Sequence, residues 1–397
     1  MITKFAGRVV SVIIVSYRVK YYIEQVLRSL YRSNQEIEVF VVDNASGDDT
    51  IEYLSARYPD VHYIANSENV GFGKANNQAL KLAKGKYVLF LNPDTIVAER
   101  TIEGCVNLME SDGGVGAIGV RMQYSDGHFA PESRRSVPTP FVSFCKMSGL
   151  GRLFPNSKLF ARYHLSYIDN DLACNIEVVS GAYMFVRKEA LDKVGGFDET
   201  FFMYGEDVDL SYRILKAGYR NCYLPLPILH YKGESTTKTS YSYAKAFYDA
   251  MTIFFTKHYR HYSRFFTFLV KMVVGIQKIS TYIKNNLFKK DISGLKQKTK
   301  ALFVGNPSDF ETVCSLVSKS KTISAVDCME IDADIALKGV TYGKIKDYDV
   351  LIYSTDCVSY NVMLDNMYSI DSHKTLLATY NKESHTLITE LEVVAYE

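Results

Sequence analysis

Short apolar runs alternate with helical stretches through the first hundred residues. The runs are rich in β-branched residues and read RVVSVIIVSY, IEVFVVDNAS, VHYIANSEN and KYVLFLNPD. Helices are predicted between them over Tyr22–Tyr31, Thr50–Tyr58 and Lys74–Lys84, the last two ended by a proline and a glycine. Strands that alternate with helices in this way predict an α/β fold built on a parallel, doubly wound sheet.

Two of these strands end in acids, and the LFLNPDT stretch is the more informative end. The strand before Asn92 is apolar enough to be covered on both faces, and Pro93 ends it because proline has no N–H to donate to a sheet. A plain turn is the alternative, since Asn, Pro and Asp are all turn formers. Asp43 and Asp94 nevertheless follow parallel strands, whose carboxyl ends meet at the ligand-binding edge of such sheets. Two acids there suggest a site for a nucleotide and a metal ion.

The stretch GEDVDLSYR predicts a helix with acids in its first turn. Glu206 and Asp207 complement the helix dipole there, and the aromatic approach FFMYG points the helix start into a pocket. Asp207 is therefore a candidate general base for an incoming hydroxyl. Asp209 and Arg213 are spaced i,i+4 and predict an intrahelical ion pair with a structural role.

His230 closes a later strand, which is proline-flanked and predicted to be short. A lone histidine at such a position is often structural, and that alternative stays open. An imidazole and a carboxylate such as Asp94 would suit Mg²⁺ or Mn²⁺, with phosphate oxygens and water completing the shell. The irregular region from residue 126 to 175 is too long for a plain connection and predicts a substrate-facing flap that supplies acceptor contacts.

Several function classes are disfavoured by composition and motifs. The net charge of +2 gives no reason to propose a nucleic-acid partner, and the seven cysteines form no CxxC pair, as suits a reducing cytosol. The glycines of NVGFGKANNQAL match neither a P-loop nor a complete GxGxxG motif, and DNASGDD is no EF-hand loop. The N-terminus has no pattern of a signal peptide.

Six stretches occur together in an order that characterises one enzyme family. They read VSVIIVSYR, VVDNASGDDT, NVGFGKANNQAL, LFLNPDT, VSGAYMFVRKEALDKVGGFDETFFMYGEDVDLSYR and HYKGES. On these stretches, residues 10–235 resemble the family 2 glycosyltransferases, particularly their bacterial rhamnosyltransferase-like branch. The resemblance implies a GT-A fold (Rossmann-like, with a mostly parallel central sheet), a nucleotide-sugar donor, a divalent metal ion and inversion at the anomeric carbon.

The resemblance also implies roles for individual residues. Those matching nucleotide-sugar-binding positions are Ser16, Tyr17, Asp43, Asn44, Asn69, Gly71, Asn76, Asn92 and Asp94. Asp94 and His230 match metal ligands, Asp207 matches the presumed catalytic base, and Glu206 is expected on the acceptor side. Many relatives carry Asp-x-Asp where this sequence has Asn92-Pro93-Asp94, so the metal site is expected to be weaker by one carboxylate.

The sequence divides into three predicted parts: a GT-A domain over 8–257, a basic amphipathic helical linker over 258–299, and a small Rossmann-like α/β domain over 300–397. The linker mixes apolar clusters with lysines and arginines and contains no acid until Asp291. Such a helix suits an anionic membrane surface, although packing on the catalytic domain is the alternative. The C-terminal part again alternates strands with helices but lacks a full glycine fingerprint, so a docking or oligomerisation module is as good a hypothesis as a ligand-binding one.

The leading functional hypothesis is an inverting glycosyltransferase that uses dTDP-L-rhamnose. It would act on a saccharide or lipid-linked saccharide acceptor in the cytoplasm, at the inner face of the membrane. A UDP-hexose or galactofuranosyl transferase is one alternative. A non-catalytic nucleotide-sugar-binding or scaffold protein is another, against which the joint presence of Asp94, Asp207 and His230 argues.

Overall fold

A computed structural model of the protein describes residues 10–231, 241–259, 299–370 and 375–396. These residues form two β-sheets with flanking helices, of nine and six strands. The strands of the first sheet are β1 (Val10–Ser16), β2 (Ile37–Asp43), β3 (His62–Ala65), β4 (Tyr87–Leu91), β5 (Thr95–Val97), β6 (Val115–Gln123), β7 (Cys174–Ile176), β8 (Tyr183–Arg187) and β9 (Arg220–His230). Their order is β3-β2-β1-β4-β8-β6-β9-β5, with β7 beside β9.

The helices of the first unit are α1 (Lys20–Leu30), α2 (Thr50–Arg57), α3 (Phe72–Leu80), α4 (Thr101–Ser111), α5 (Pro140–Met147), α6 (Leu150–Leu153), α7 (Lys188–Val194), α8 (Glu206–Lys216) and α9 (Tyr241–His258). Strands β3, β2, β1 and β4 are parallel, as predicted, and β6 is parallel to β9. Antiparallel pairings join β4 to β8, β6 to β8, β5 to β9 and β7 to β9. The predicted α/β class with a Rossmann-like first half is therefore confirmed.

Strand β4 is buried on both of its faces, as its sequence predicts. All five residues are buried. Leu89 and Leu91 pack in one apolar cluster, whereas Val88 and Phe90 pack in another. Because side chains alternate between the faces of a strand, β4 contributes side chains to the apolar clusters on both faces of the sheet.

The second sheet consists of β10 (Thr299–Gly305), β11 (Ile323–Glu330), β12 (Val350–Ser354), β13 (Leu376–Asn381), β14 (Thr386–Ile388) and β15 (Val393–Ala395), in the order β11-β10-β12-β13-β14-β15. Its helices are α10 (Phe310–Lys319), α11 (Ala333–Lys338), α12 (Tyr342–Ile345) and α13 (Tyr360–Ser369). The first four strands are parallel, so the expected Rossmann-like arrangement is present. The short helices α11 and α12 were not predicted.

The second unit is packed directly on the first. One apolar cluster contains residues from both, including Leu27 of α1 and Tyr360 of α13. Arg28 of α1 donates to Asp356 at 2.9 Å, in the loop that follows β12. The Glu99 carboxylate accepts the N–H groups of Tyr360 and Asn361 at 2.8 Å each, which places an acid at the positive N-terminus of α13. The loop after β12, where Rossmann-like sheets receive ligands, is thus in contact with the first unit, in keeping with a docking role.

Some predicted boundaries were wrong. Helix α3 begins at Phe72, directly after Gly71, which has a positive φ of 85°. Strand β9 has 11 residues where a short strand was predicted, and the supposedly irregular region 126–175 contains α5 and α6. The predicted linker, 258–299, lies outside the described residues apart from its ends, so the three-part division stays a prediction. Among the helices in the described ranges, none is both long and apolar enough to cross a bilayer.

Candidate active site

A cleft of about 460 Å³ opens at the carboxyl ends of β1, β2 and β4 and at the N-terminus of α8. Strands β2 and β3 are added on one side of β1, and β4 is added on the other side. In doubly wound sheets, ligands bind in the crevice at the point where the order of strands changes direction in this way. The predicted site residues that line the cleft are Tyr17, Asn44, Asn69, Asn92, Asp94, Glu206, Asp207 and His230. Residues from six separate segments of the sequence therefore meet in one cavity.

Asp94 and His230 are held together by backbone pairing between β5 and β9. His230 is the register partner of Thr95, and the Tyr231 N–H donates to the Asp94 carbonyl at 3.0 Å. The pairing leaves the His230 Nε2 atom 3.4 Å from the Asp94 carboxylate and 3.3 Å from the Asn92 amide nitrogen. All three polar side chains therefore converge on one point at the floor of the cleft.

This donor set fits a metal ion that is shared with a substrate. Two ligands about 2.1 Å from one octahedral ion lie roughly 3 Å apart, close to the observed separation of Asp94 and His230. Among the residues that the structure describes, no group of three or more His, Cys, Asp or Glu side chains could hold a metal ion by itself. Mg²⁺ commonly takes one or two protein ligands and completes its shell with phosphate oxygens and water.

Asp207 is fixed in one orientation at the start of α8. Its Oδ2 atom accepts from the Arg135 guanidinium at 2.5 Å and from the Gly181 N–H at 3.0 Å. Its Oδ1 atom accepts from the Val208 N–H at 2.8 Å. Arg135 also donates to the Val179 carbonyl, and its backbone is bridged to Val178. The carboxylate is thus pinned by a cation that is itself anchored.

Glu206, next to it, has a different environment. It is only 7% exposed, and its Oε2 atom has no hydrogen-bond partner within the described structure. Burial and the nearby charge of Asp207 raise the pKa of Glu206 to about 8. At neutral pH this carboxyl is therefore mainly protonated, and it can donate a hydrogen bond into the cleft.

The turn before α8 is conformationally strained. Tyr204 adopts a positive φ of 69°, which is rare for an aromatic residue, and Gly205 follows with a φ of 83°. A Cβ atom at Gly205 would lie 3.2 Å from Phe201 and from Ala250. Tyr204 and Gly205 both line the cleft. Strain of this kind concentrates at functional sites, where the surrounding packing enforces it.

Asn44 and Asn69 connect the end of β2 to the turn before α3. The Asn44 amide donates to Asn69 at 2.8 Å, and its oxygen accepts the Val70 N–H at 3.0 Å. Gly71 allows the segment around Phe202 to approach closely, since a Cβ atom at position 71 would lie 2.7 Å from the Phe202 carbonyl. This network shapes one wall of the cleft from main chain and amides.

The flap, residues 126–175, forms the opposite part of the lining. It contributes Glu132, Arg135, Pro138, Lys146, Tyr163 and His164. The Lys146 ammonium lies 3.6 Å from the centroid of the Tyr163 ring. Burial raises the pKa of Tyr163, but the charges of Lys146 and Arg135 outweigh it, so the net shift is downward. Burial and Lys146 lower the pKa of His164 to about 4, which keeps that imidazole neutral.

Two family models match parts of the chain. The model of the family described as "Glycosyl transferase family 2" matches residues 11–195. A second model, described as "N-terminal domain of galactosyltransferase", matches residues 162–239.

Residues 11–195 of the chain are a family 2 glycosyltransferase domain.

Named relatives are similar over the same part of the transferase. The N-acetylglucosaminyl-diphospho-decaprenol L-rhamnosyltransferase of Mycobacterium tuberculosis is 29% identical over 259 residues, which span 62% of this chain and 83% of that protein. Rhamnosyltransferase WbbL of Escherichia coli is 28% identical over 234 residues, 56% of this chain and 83% of that protein. A solved mannosyltransferase, PcManGT from Pyrobaculum calidifontis in complex with GDP-Man and Mn²⁺, is 22% identical, with a TM-score of 0.46 and 65% of each chain covered.

Four predicted donor-site residues do not belong to the cleft lining of the transferase. Ser16 is fully buried at the end of β1, and Asp43 uses its carboxylate to accept from the N–H and hydroxyl groups of Ser46. Asn76 is buried in α3, where its amide donates to the carbonyl one turn earlier, and Gly71 acts through its backbone. Their predicted contacts with the donor stay predictions.

The structural pair predicted at Asp209 and Arg213 is present, with 2.6 Å between Nε and Oδ2. Asp209 also accepts from His258 at 2.7 Å, which anchors α9 to α8. Sequence analysis missed Arg135, Lys146 and Tyr163 as individual residues and identified only the segment that carries them. The available signal was the absence of acids from position 133 to 168, a stretch with six lysines and arginines.

Proposed function

We propose that this transferase moves one L-rhamnosyl residue from dTDP-L-rhamnose to a hydroxyl of a lipid-linked saccharide, at the inner face of the cell membrane. One observation supports the catalytic part of the proposal most strongly. The paired side chains of Asp94 and His230 and the pinned carboxylate of Asp207 line a single cleft. A non-catalytic scaffold would have no reason to bring two metal ligands and an oriented carboxylate together in one cavity.

The transfer is a single displacement. The acceptor oxygen attacks the anomeric carbon, the bond from that carbon to the diphosphate oxygen breaks, and the electron pair leaves with the diphosphate. Asp207 takes the proton of the attacking hydroxyl, as a general base within reach of the cleft. Arg135 and the Gly181 N–H hold one carboxylate oxygen, so the base does not have to be oriented during the reaction. One displacement without a covalent intermediate inverts the anomeric configuration.

Asp94 and His230 would hold a divalent ion, which when bound supplies positive charge to the departing diphosphate. The protonated Glu206 donates its hydrogen bond to a sugar or acceptor hydroxyl, beside the base. Lys146 and Tyr163 of the flap bring polar and cationic groups to the acceptor side. The choice of rhamnose and of a lipid-linked acceptor follows the two relatives, whose names state a rhamnosyltransferase activity and, for one, a diphospho-decaprenol acceptor.

A donor screen tests the proposal. Purified protein is incubated with Mg²⁺ or Mn²⁺ and a panel of dTDP-, UDP- and GDP-sugars, with and without a polyprenyl-diphosphate-linked saccharide, and released nucleotide diphosphate is measured. We expect turnover of dTDP-L-rhamnose with acceptor, lost in Asp207→Asn and in Asp94→Ala. The exposed acid Asp192 provides the matched control Asp192→Asn, which should keep full activity.

Each other result of the screen has a defined meaning. Turnover of a UDP-hexose or of UDP-galactofuranose would replace the donor and keep the mechanism. Activity that survives in Asp207→Asn would reject Asp207 as the base. Absence of both turnover and calorimetric binding of every nucleotide sugar, with folded protein and metal present, would overturn the enzymatic proposal.

A further inference from the structure

The outer surface of the flap is unusually apolar. Among the described residues, thirteen large hydrophobic side chains are exposed, and five of them lie in one stretch of the flap. These five are Phe141 (48% exposed), Phe144 (46%), Leu153 (72%), Phe154 (51%) and Leu159 (56%). We refer to them as the apolar face. Such a concentration on a protein surface marks an interaction site, whereas single exposed side chains need no explanation.

Local packing holds the apolar face outward. Phe141 and Phe144 lie three residues apart on α5, so both project from one side of the helix, while Val142 and Cys145 of the same helix are buried. Helix α5 packs against α6, which ends at Leu153. The Phe154 and Phe160 rings are in contact, with their centroids 5.6 Å apart. One side of α5 is therefore buried, and the aromatic side chains on its other side are exposed to solvent.

Within the segment that carries the apolar face, the acidic and basic side chains are of one sign, and Arg162 is paired with Glu177 from outside the segment. No Asp or Glu occurs between positions 133 and 168. Lys146, Arg152, Lys158 and Arg162 are all exposed within this stretch. Exposed apolar side chains interleaved with cations, without acids, match the boundary between the headgroups and acyl chains of an anionic bilayer. A protein partner would have to supply both an apolar surface and several acids, whereas an anionic bilayer offers both at every point.

The segment that carries the apolar face also contributes to the lining of the active-site cleft. Lys146 and Tyr163 line the cleft, and both belong to the segment that carries the apolar face. A bilayer seated on this segment would therefore lie next to the acceptor side of the site.

We infer that the apolar face of the flap docks the transferase on an anionic membrane surface, so that the cleft receives its acceptor from that surface. The purpose of the docking rests on the proposed lipid-linked acceptor. The docking itself is a property of the flap and is measured without catalysis.

Vesicle co-sedimentation of the full chain tests the inference. Vesicles of phosphatidylglycerol and phosphatidylcholine supply the anionic surface, and pure phosphatidylcholine supplies the neutral one. We expect binding to the anionic vesicles that weakens with added salt. The double variant Leu153→Ser with Phe154→Ser should bind about tenfold more weakly or worse, because two exposed apolar side chains are removed from the contact.

Two further variants separate the contributions. Arg152→Gln with Lys158→Gln should lose the preference for anionic vesicles. Leu337→Ser with Leu391→Ser is the matched control, since both leucines are exposed (71% and 64%) and lie on the second unit. This control should bind as the unchanged protein does. Thermal unfolding and donor turnover with a water-soluble short-chain acceptor should stay the same in all three variants.

The outcomes are distinct from those of the donor screen. Equal vesicle binding by the unchanged protein and the Leu153→Ser, Phe154→Ser variant would overturn the inference and assign membrane contact elsewhere in the chain. Failure of the unchanged protein to bind any vesicle would also overturn it. If the double variant changed the sedimentation coefficient of the free protein, the apolar face would instead be an interface between copies. None of these results depends on which donor sugar is used.

Discussion

Glu206 gives the most quantitative test of the site, because its charge state is coupled to folding. Its pKa is raised to about 8 in the folded protein, from 4.5 in an unfolded chain, by burial and by the charge of Asp207. Between these two values the folded state holds a proton that the unfolded state has lost. The free energy of unfolding therefore falls as pH rises, by about 1.4 kcal/mol per pH unit for one proton. The stabilising protonated state is complete below pH 4.5 and is lost as pH rises through about 8.

Between pH 4.5 and about pH 8, the ionisation of Glu206 alone lowers the free energy of unfolding by an amount on the order of 4–5 kcal/mol. Glu206→Gln keeps the shape of the side chain and removes its ionisation. The variant should match the unchanged protein near the acid end of the window and be several kcal/mol more stable at the alkaline end, by the same linkage. Urea unfolding of both proteins at four values between about pH 5 and pH 9 measures the difference directly.

Glu52→Gln serves as the control, since Glu52 is an exposed acid on α2. Its substitution should leave the pH dependence of unfolding unchanged. Parallel stability curves for the unchanged protein and Glu206→Gln across the whole range would refute the reasoning. Glu206 would then be ionised in the folded state, and its role as a hydrogen-bond donor in the cleft would be withdrawn.

Four further predictions concern the cleft and its support. Asp207→Asn should lower the transfer rate by a factor of about 10²–10⁴ while calorimetry shows unchanged donor binding; loss of binding to the same degree would contradict its role as base. His230→Gln should raise the metal concentration for half-maximal rate by at least about tenfold, and an unchanged metal titration would exclude it as a ligand. Arg135→Met should destabilise the protein by about 3–5 kcal/mol, measured by urea unfolding, because it leaves the Asp207 charge buried and unpaired; Arg135→Lys should recover part of this. Glu99→Gln should lower the free energy of unfolding by about 1–3 kcal/mol and make the second unit more sensitive to limited proteolysis. An unchanged digestion pattern would show that Glu99 does not hold the second unit against the first.

The fold class was predictable because its signals are local. Apolar runs such as that of β4, a helix start after Gly205 and the turn formers around Pro93 are each encoded within a few residues, so they could be located without knowing the partners. The same holds for Asp94 at a strand end. Parallel strands bring such ends to one edge of the sheet whatever else the chain does.

Boundaries and the flap were less predictable because tertiary contacts define them. Strand β9 extends to 11 residues because β6 pairs along most of its length, a contact between segments about a hundred residues apart. Helix α5 exposes Phe141 and Phe144 although its composition suggests a buried element. The hydrophobic pattern of a sequence predicts which residues are usually buried. It does not predict which apolar residues, such as Phe141 and Phe144, a particular fold leaves exposed.

By itself, the sequence determined the residue types of the site and the order of the strands that carry them. Only the tertiary structure decided their chemistry. Asp94 and His230, 136 positions apart, meet because β5 pairs with β9. Asp207 is pinned because Arg135 of the flap lies beside it, and Glu206 keeps its proton because the same packing removes it from water. Charge states and metal geometry depend on distances of a few ångströms between remote segments, and those distances exist only once the chain has folded.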